Sequence, residues 1–316
     1  VKRGIVDFHC DALSKMQMNP KINFASDERL DVSRLMLEEG GVMLQCFAIF
    51  LSPHFEPHFE LILDQMGLFK QKVSRANQIP LIQWREDIEN LRASTHIGGL
   101  LSIEGADGLE GNMFYLQLCY EQGVRFLGLT WNYANWAADG VMEPRNGGFT
   151  KKGKVLVAKC NELGIILDVS HLSEQGFAEL TELSQRPFIA SHSNSYTICN
   201  HVRNLKDDQI KAIIRMNGRI GLTFVPWFVR DTERVVMEDL LPHIEHICEL
   251  GGAKHLMLGS DFDGIDKWIV GLENAGKYQR FVDLLLRYYP EDLVLGILSG
   301  NALHFLNENL PARRNE

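Results

Sequence analysis

Three histidines and three carboxylates stand where short apolar runs stop. They are His9 and Asp11 in IVDFHCDA, Glu104 in LLSIEGADG, His171 in IILDVSHLS, His192 in FIASHSNS and Asp261 in HLMLGSDFDGI. Imidazole and carboxylate together suit a divalent metal, zinc first, with manganese, cobalt and iron as alternatives. Gathered in one pocket without a cation, the carboxylates would repel and some would have to protonate. One or two divalent ions remove that conflict. Each piece alone is weak. A lone H-x-D is common, a strand-end histidine more often satisfies a core or loop, and Glu104 before Gly105 could merely cap a turn. The joint placement carries the reading. If the first strand continues through Asp11, His9 and Asp11 face one side, roughly 7 Å apart along the backbone.

Placement depends on the elements. Apolar runs rich in Val, Ile, Leu and Phe give strand candidates at 5–9, 42–50, 100–104, 125–130, 165–170, 188–191, 220–225 and 256–260. Helix-like segments lie between them at 60–77, 113–122, 152–163, 174–184, 207–216, 238–250 and 277–289, and the connection around 32–39 has room for a short helix only. Ser173 is a plausible N-cap, and Asn217-Gly218 and Gly251-Gly252 are C-terminal stops. Eight apolar strands alternating with helices predict an α/β protein with a parallel sheet. Over 316 residues the expectation is a single-domain (β/α)8 TIM-type barrel, residues 1–316. In that fold all C-terminal strand ends meet on one face, where active sites form. A doubly wound open sheet would advertise a Gly-rich first turn, and His9-Cys10-Asp11-Ala12 is not one.

The bulk numbers exclude several classes. A net charge of −9 argues against non-specific nucleic-acid binding and against a polybasic membrane contact. No apolar run is long enough for a transmembrane helix. The chain enters a strand-like run within five residues, without a basic and apolar leader, so no signal peptide is expected. Six scattered cysteines without a C-x-x-C read as reduced, mostly buried thiols of a cytoplasmic protein. The pairs His54/His58 and His243/His246 do not fall at strand ends and read as structural or solvent-facing. The cluster Trp131-Asn132-Tyr133-Ala134-Asn135-Trp136 follows the fourth strand and reads as a wall of a substrate pocket.

The stretches DFHCDA, SIEGADGL, GVRFLGLTWN, LGIILDVSHLS, ASHSNSYTICNHVRNL, GSDFDGI and GLENAGKY together resemble the renal (membrane) dipeptidase family, peptidase family M19. They run in the family's order over most of the chain. The resemblance implies a (β/α)8 barrel with two zinc ions that hydrolyses dipeptides, those with a C-terminal D-residue to be included in any test, and it suggests a homodimer. It implies His9 and Asp11 on one zinc, His171 and His192 on the other, and Glu104 bridging both. Arg203 matches the arginine that holds the substrate, and Asp261 the carboxylate that handles the amino group and the proton.

One position departs from the family. Mammalian members carry a histidine after strand four that polarises the scissile carbonyl, and Trp131 stands there. An indole N–H can donate but cannot be charged. Asn132 is the alternative donor. The expected chemistry is attack by a hydroxide held between two metals, with Glu104 fixing their separation and Asp261 as general acid–base. Arg203 would read a free C-terminus with its planar fork. Two other readings compete. One is another binuclear hydrolase on the same barrel, acting on lactones, cyclic amides or phosphoesters. The other is a barrel that binds metal or peptide without turnover.

Overall fold

Val42–Phe50 shows why these runs become parallel strands. Its residues are buried on both faces almost throughout, which a strand achieves between a filled barrel interior and a ring of helices. The structure, a computed structural model, describes residues 4–313. Eight parallel strands close a barrel in chain order: β1 Ile5–Asp7, β2 Val42–Phe50, β3 Gly98–Glu104, β4 Val124–Gly128, β5 Ile166–Asp168, β6 Ile189–Ala190, β7 Arg219–Leu222 and β8 Leu256–Leu258. The expected (β/α)8 architecture is the observed one.

Two apolar clusters hold it together. Val6, Phe8, Leu44, Cys46, Leu100, Phe126, Ile166, Ile189 and Met257 point inward and fill the barrel. The helices Arg85–Arg92 and Asn301–Asn309 close its lower end with Ile88, Leu91, Leu303, Phe305 and Leu306. Alternate residues, among them Phe47, Ile49, Leu101, Leu127, Leu167 and Leu222, pack outward against the helical ring. Fully burying one such side chain stabilises by roughly 1.5–3 kcal/mol. Strands as short as Ile189–Ala190 are therefore held by side-chain burial more than by their few ladder bonds.

Helices Met113–Glu121, Lys151–Leu163, Glu174–Leu183, Asp207–Arg215, Leu241–Glu249 and Tyr278–Tyr288 lie where the sequence places them. Ser173 caps its helix by accepting from the Gly176 amide at 3.0 Å. Asn217 and Gly251, at the two stops, have φ of 55° and 95°. The segment expected as one helix over 60–77 runs as Phe59–Leu68 and then widens into i→i+5 turns over Phe69–Arg75. Among the described residues no helix is long and apolar enough to cross a membrane.

The strand ends differ from expectation. β1 stops at Asp7, β5 at Asp168 and β8 at Leu258, each two residues before the sequence pattern does. Asp7 explains the first case. Its buried carboxylate accepts from the His9 amide (3.3 Å), from the amide (2.9 Å) and hydroxyl (2.7 Å) of Ser260, and from the Tyr278 hydroxyl (2.8 Å). Side-chain bonds interrupt the regular ladder there, and the backbone pairs again at the isolated Cys10–Phe262 bridge. His9 and Asp11 are thus not two positions of one strand. Asp11 is the N-cap residue of the helix Ala12–Met18.

Candidate functional site

The donors expected to meet do meet, at the top of the barrel. His9 Nε2 lies 3.5 Å from Asp11 Oδ2, 3.4 Å from Glu104 Oε2 and 3.6 Å from Asp261 Oδ1. The other oxygen of Glu104, Oε1, lies 3.0 Å from His171 Nε2 and 3.7 Å from His192 Nε2. Glu104 therefore turns one oxygen to each half of the cluster. Its place is fixed by β3, which pairs in register with β2 at Phe50 and with β4 at Gly128.

Two imidazoles are aimed by partners behind them. His171 Nδ1 lies 2.8 Å from Asn132 Oδ1, an acceptor, so that nitrogen carries the proton. His192 Nδ1 lies 2.7 Å from Ser191 Oγ. The Ser191 hydroxyl gives its hydrogen to Asp168 Oδ2, so His192 Nδ1 also donates. Asp168 is itself fixed by the amides of Ser170 (3.0 Å) and Ser191 (2.9 Å). Both Nε2 atoms are left with bare lone pairs, and they face each other at 3.0 Å. Two acceptors that close require a cation between them or beside them.

The rest of the cluster agrees. His9 Nε2 and Asp11 Oδ1 are buried without a hydrogen-bond partner. Burial pushes the imidazoles of His171, to about 4, and of His192, well down, with Arg203 and His9 adding repulsion. Both are thereby neutral, as ligands must be. Burial opposes charge on Glu104, yet contacts led by the His9 imidazole outweigh it and hold its carboxyl well below the usual range. Burial raises Asp261 well above that range. Gly264 completes the cradle, since a Cβ there would stand 2.3 Å from Asp11 Oδ2 and 2.6 Å from Asp261 Oδ1. These residues fit divalent metal. His9, Glu104 and His192 form one set of ligand atoms within 4.8 Å of one another, and His9, Asp11 and Asp261 another.

Two cavities flank the donors. One, about 190 Å³, is lined by Lys15, Met18, Phe50, Ser52, Trp131 and Asp261 among others. The other, about 80 Å³, includes Val141, Tyr196, Val202 and Arg203. His171 borders both. Arg203 is buried, with Nη2 donating to the His192 carbonyl at 3.2 Å, Nε unpartnered, and its guanidinium 5.4 Å from the Phe228 ring. Among the described residues it has no carboxylate within 4.0 Å. Burial lowers its pKa to about 10.

Trp131 is half-buried on the cavity wall, 5.3 Å from the Phe50 ring. Trp136 instead packs inward and donates to the Ala106 carbonyl, so only part of the aromatic cluster forms the wall. Asn132 stands behind His171. His54 and His58 are exposed. His243 is fully buried between the Ser195 amide and the Val229 carbonyl, a structural histidine as expected. The sequence reading assigned no role to Asp168, Ser191, Lys15 or Gly264. Asp168 had a signal, a carboxylate two residues before a buried serine, but the signal does not distinguish ligand from support.

A family model described as membrane dipeptidase, peptidase family M19, matches residues 1–315. A dipeptidase of Aspergillus oryzae, aclJ, is 34% identical over 217 residues, covering 67% of this chain and 51% of that protein. A dipeptidase of Claviceps purpurea, tcpJ, is 29% identical over 253 residues, covering 79% and 58%. The chain thus spans just over half the length of these curated relatives. A solved metallopeptidase of Rhodobacter sphaeroides, bound to a phosphinate mimic of the dipeptide L-Ala-D-Ala, superposes with a TM-score of 0.88 at 26% identity, covering 98% of this chain and 100% of that one. The solved dipeptidase AC of family M19 superposes at 0.90 with 27% identity, covering 99% and 100%.

Proposed function

Because the chain belongs to the membrane dipeptidase family, peptidase family M19, we propose that it is a zinc-dependent dipeptidase with two metal sites. The observation that carries the dipeptide reading is Arg203. It is a buried guanidinium with no carboxylate within 4.0 Å among the described residues. Asp261, Glu104 and Asp168 act on it only from farther off, and it borders a cavity that shares His171 with the donor cluster. A planar fork in that state suits a substrate carboxylate.

His9 and Asp11 would hold one cation and His171 and His192 the other, with Glu104 giving an oxygen to each. When bound, such ions supply Lewis-acid polarisation of a carbonyl and make water nucleophilic near neutral pH. The chain's own groups do the rest. Arg203 takes the free C-terminus. Asp261 faces the free amine, accepts the proton released by the attacking water and returns it to the leaving nitrogen. Reading both ends limits the substrate to two residues. Asn132 and the Ser191–Asp168 pair keep His171 and His192 in the tautomers that leave Nε2 free. Trp131 walls the cavity where the family's histidine would stand. The solved neighbour with an L-Ala-D-Ala mimic supports including C-terminal D-residues. The six free thiols support a reducing, cytoplasmic setting.

Purified protein assayed on a dipeptide panel, with metal analysis of the same sample, tests this. Amino acids should be released, a chelator should stop the release, and Glu104→Gln should remove most of it while the protein stays folded. Normal turnover by that variant with full metal content refutes the bridging role. Turnover of lactones with none of dipeptides refutes the substrate class.

A further inference from the structure

The larger cavity holds a cationic group the reaction does not use. Lys15 lies on the helix Ala12–Met18, one turn after Asp11, and its side chain is 26% exposed. It lines the cavity with Met18, Phe50 and Trp131. Asp261 and Gly264 border the same cavity, whereas Arg203 borders the other. On the dipeptidase reading, on which this inference rests, Arg203 takes the carboxyl end. The amino-terminal residue then extends its side chain toward Lys15.

The two carboxylates beside Lys15, Asp263 and Asp31, are already engaged. Asp263 Oδ1 accepts from the Asp31 amide (2.8 Å) and Lys15 Nζ (2.9 Å), and Oδ2 from the Val32 amide (3.0 Å). Asp31 Oδ2 accepts from the Asp263 amide and the Trp268 indole, each at 3.0 Å. Lys15 is different. An ammonium has three N–H groups. One goes to Asp263, and a second reaches the Arg29 carbonyl at a long 3.4 Å. The third is open. A substrate side chain therefore meets apolar walls, the Ser14 and Ser52 hydroxyls, and then a charged donor. We propose that Lys15 selects dipeptides whose amino-terminal residue has an acidic side chain, its methylenes against Met18, Phe50 and Trp131 and its carboxylate on the ammonium.

The test compares L-Glu-L-Ala, L-Met-L-Ala and L-Lys-L-Ala on the metal-loaded full chain. The wild type should prefer the glutamyl over the lysyl substrate. Lys15→Met should lower the ratio of kcat/KM for glutamyl over methionyl substrate by about tenfold, the low end for a charged hydrogen bond in a site partly open to water. The loss should fall mainly in KM, and Lys15→Arg should keep most of the preference. A ratio taken within one sample cancels any loss of folded or metal-loaded protein. An unchanged ratio in Lys15→Met, or a wild-type preference for the lysyl substrate, overturns the proposal while leaving the dipeptidase reading intact. Absence of turnover on every dipeptide overturns the dipeptidase reading and this proposal with it.

Discussion

Gly264→Ala is the sharpest test of the site's geometry, because it adds one methyl and nothing else. The added Cβ would stand 2.3 Å from Asp11 Oδ2 and 2.6 Å from Asp261 Oδ1. To recover a 3.0 Å contact, Asp11 Oδ2 must retreat by about 0.7 Å, and a misplacement near 1 Å costs about a hundredfold in rate. That corresponds to roughly 2.7 kcal/mol of transition-state stabilisation. The retreat cannot be free, since it carries Asp11 away from His9. Stability should behave oppositely. Gly264 is exposed and not in a left-handed conformation, so alanine strains no backbone there and restricts the unfolded chain. We expect kcat/KM on a good dipeptide to fall about a hundredfold while Tm stays level or rises slightly. Steady-state kinetics, thermal melts and metal analysis on one preparation decide it. Activity within about threefold of wild type, against the expected hundredfold, with full metal content would show that Asp11 and Asp261 need not be where they stand, and the argument from convergence would fail.

Three further outcomes follow from the same contacts. Asn132→Leu should weaken metal retention by about 10–100-fold, read by chelator competition, because His171 loses the acceptor that fixes its tautomer; retention equal to wild type would leave Asn132 without that role. Arg203→Lys keeps the charge but loses the fork, so it should reduce the preference for a dipeptide over its C-terminal amide; an unchanged preference would remove Arg203 from substrate binding. Burial holds the His243 imidazole down at about 4, against 6.5 ordinarily, so the unfolded chain takes up this proton first as pH falls. Its contribution is intact above pH 6.5 and is lost toward pH 4, amounting to about 3 kcal/mol. Urea unfolding of the wild type and His243→Gln at pH 7 and at mildly acidic pH should show a smaller drop in the variant, and equal drops would refute the assignment.

The barrel was legible because its strands bury both faces, which writes them as continuous apolar runs such as Val42–Phe50. The donors were legible because polar residues after such runs have no bland purpose in common. The helices Arg85–Arg92 and Asn301–Asn309 were not expected. The first offers only Ile88 and Leu91 to the core, too little periodicity to distinguish it from a polar loop. Lys15 was also silent, since a lysine four residues after an aspartate looks like any solvated helix position. Only the fold brings Asp263, more than two hundred residues away, to its side.

The strand boundaries carry the deeper lesson. An apolar pattern measures burial, and burial continues past the last ladder bond. Ser191 and Ser260 are buried yet lie outside the strands, where their amides and hydroxyls bond the carboxylates of Asp168 and Asp7. Leaving the ladder early also permits conformations that a strand forbids. His171, Asp261 and Asp263 all have positive φ, 72°, 67° and 68°, a region that costs a non-glycine residue roughly 1–2 kcal/mol. Glycine would relieve each position but would delete a donor, the facing carboxylate or the Lys15 partner. Retaining side chains in three strained positions around one pocket exchanges stability for the direction in which those side chains point. That exchange is expected of a site whose geometry matters more than its contribution to folding.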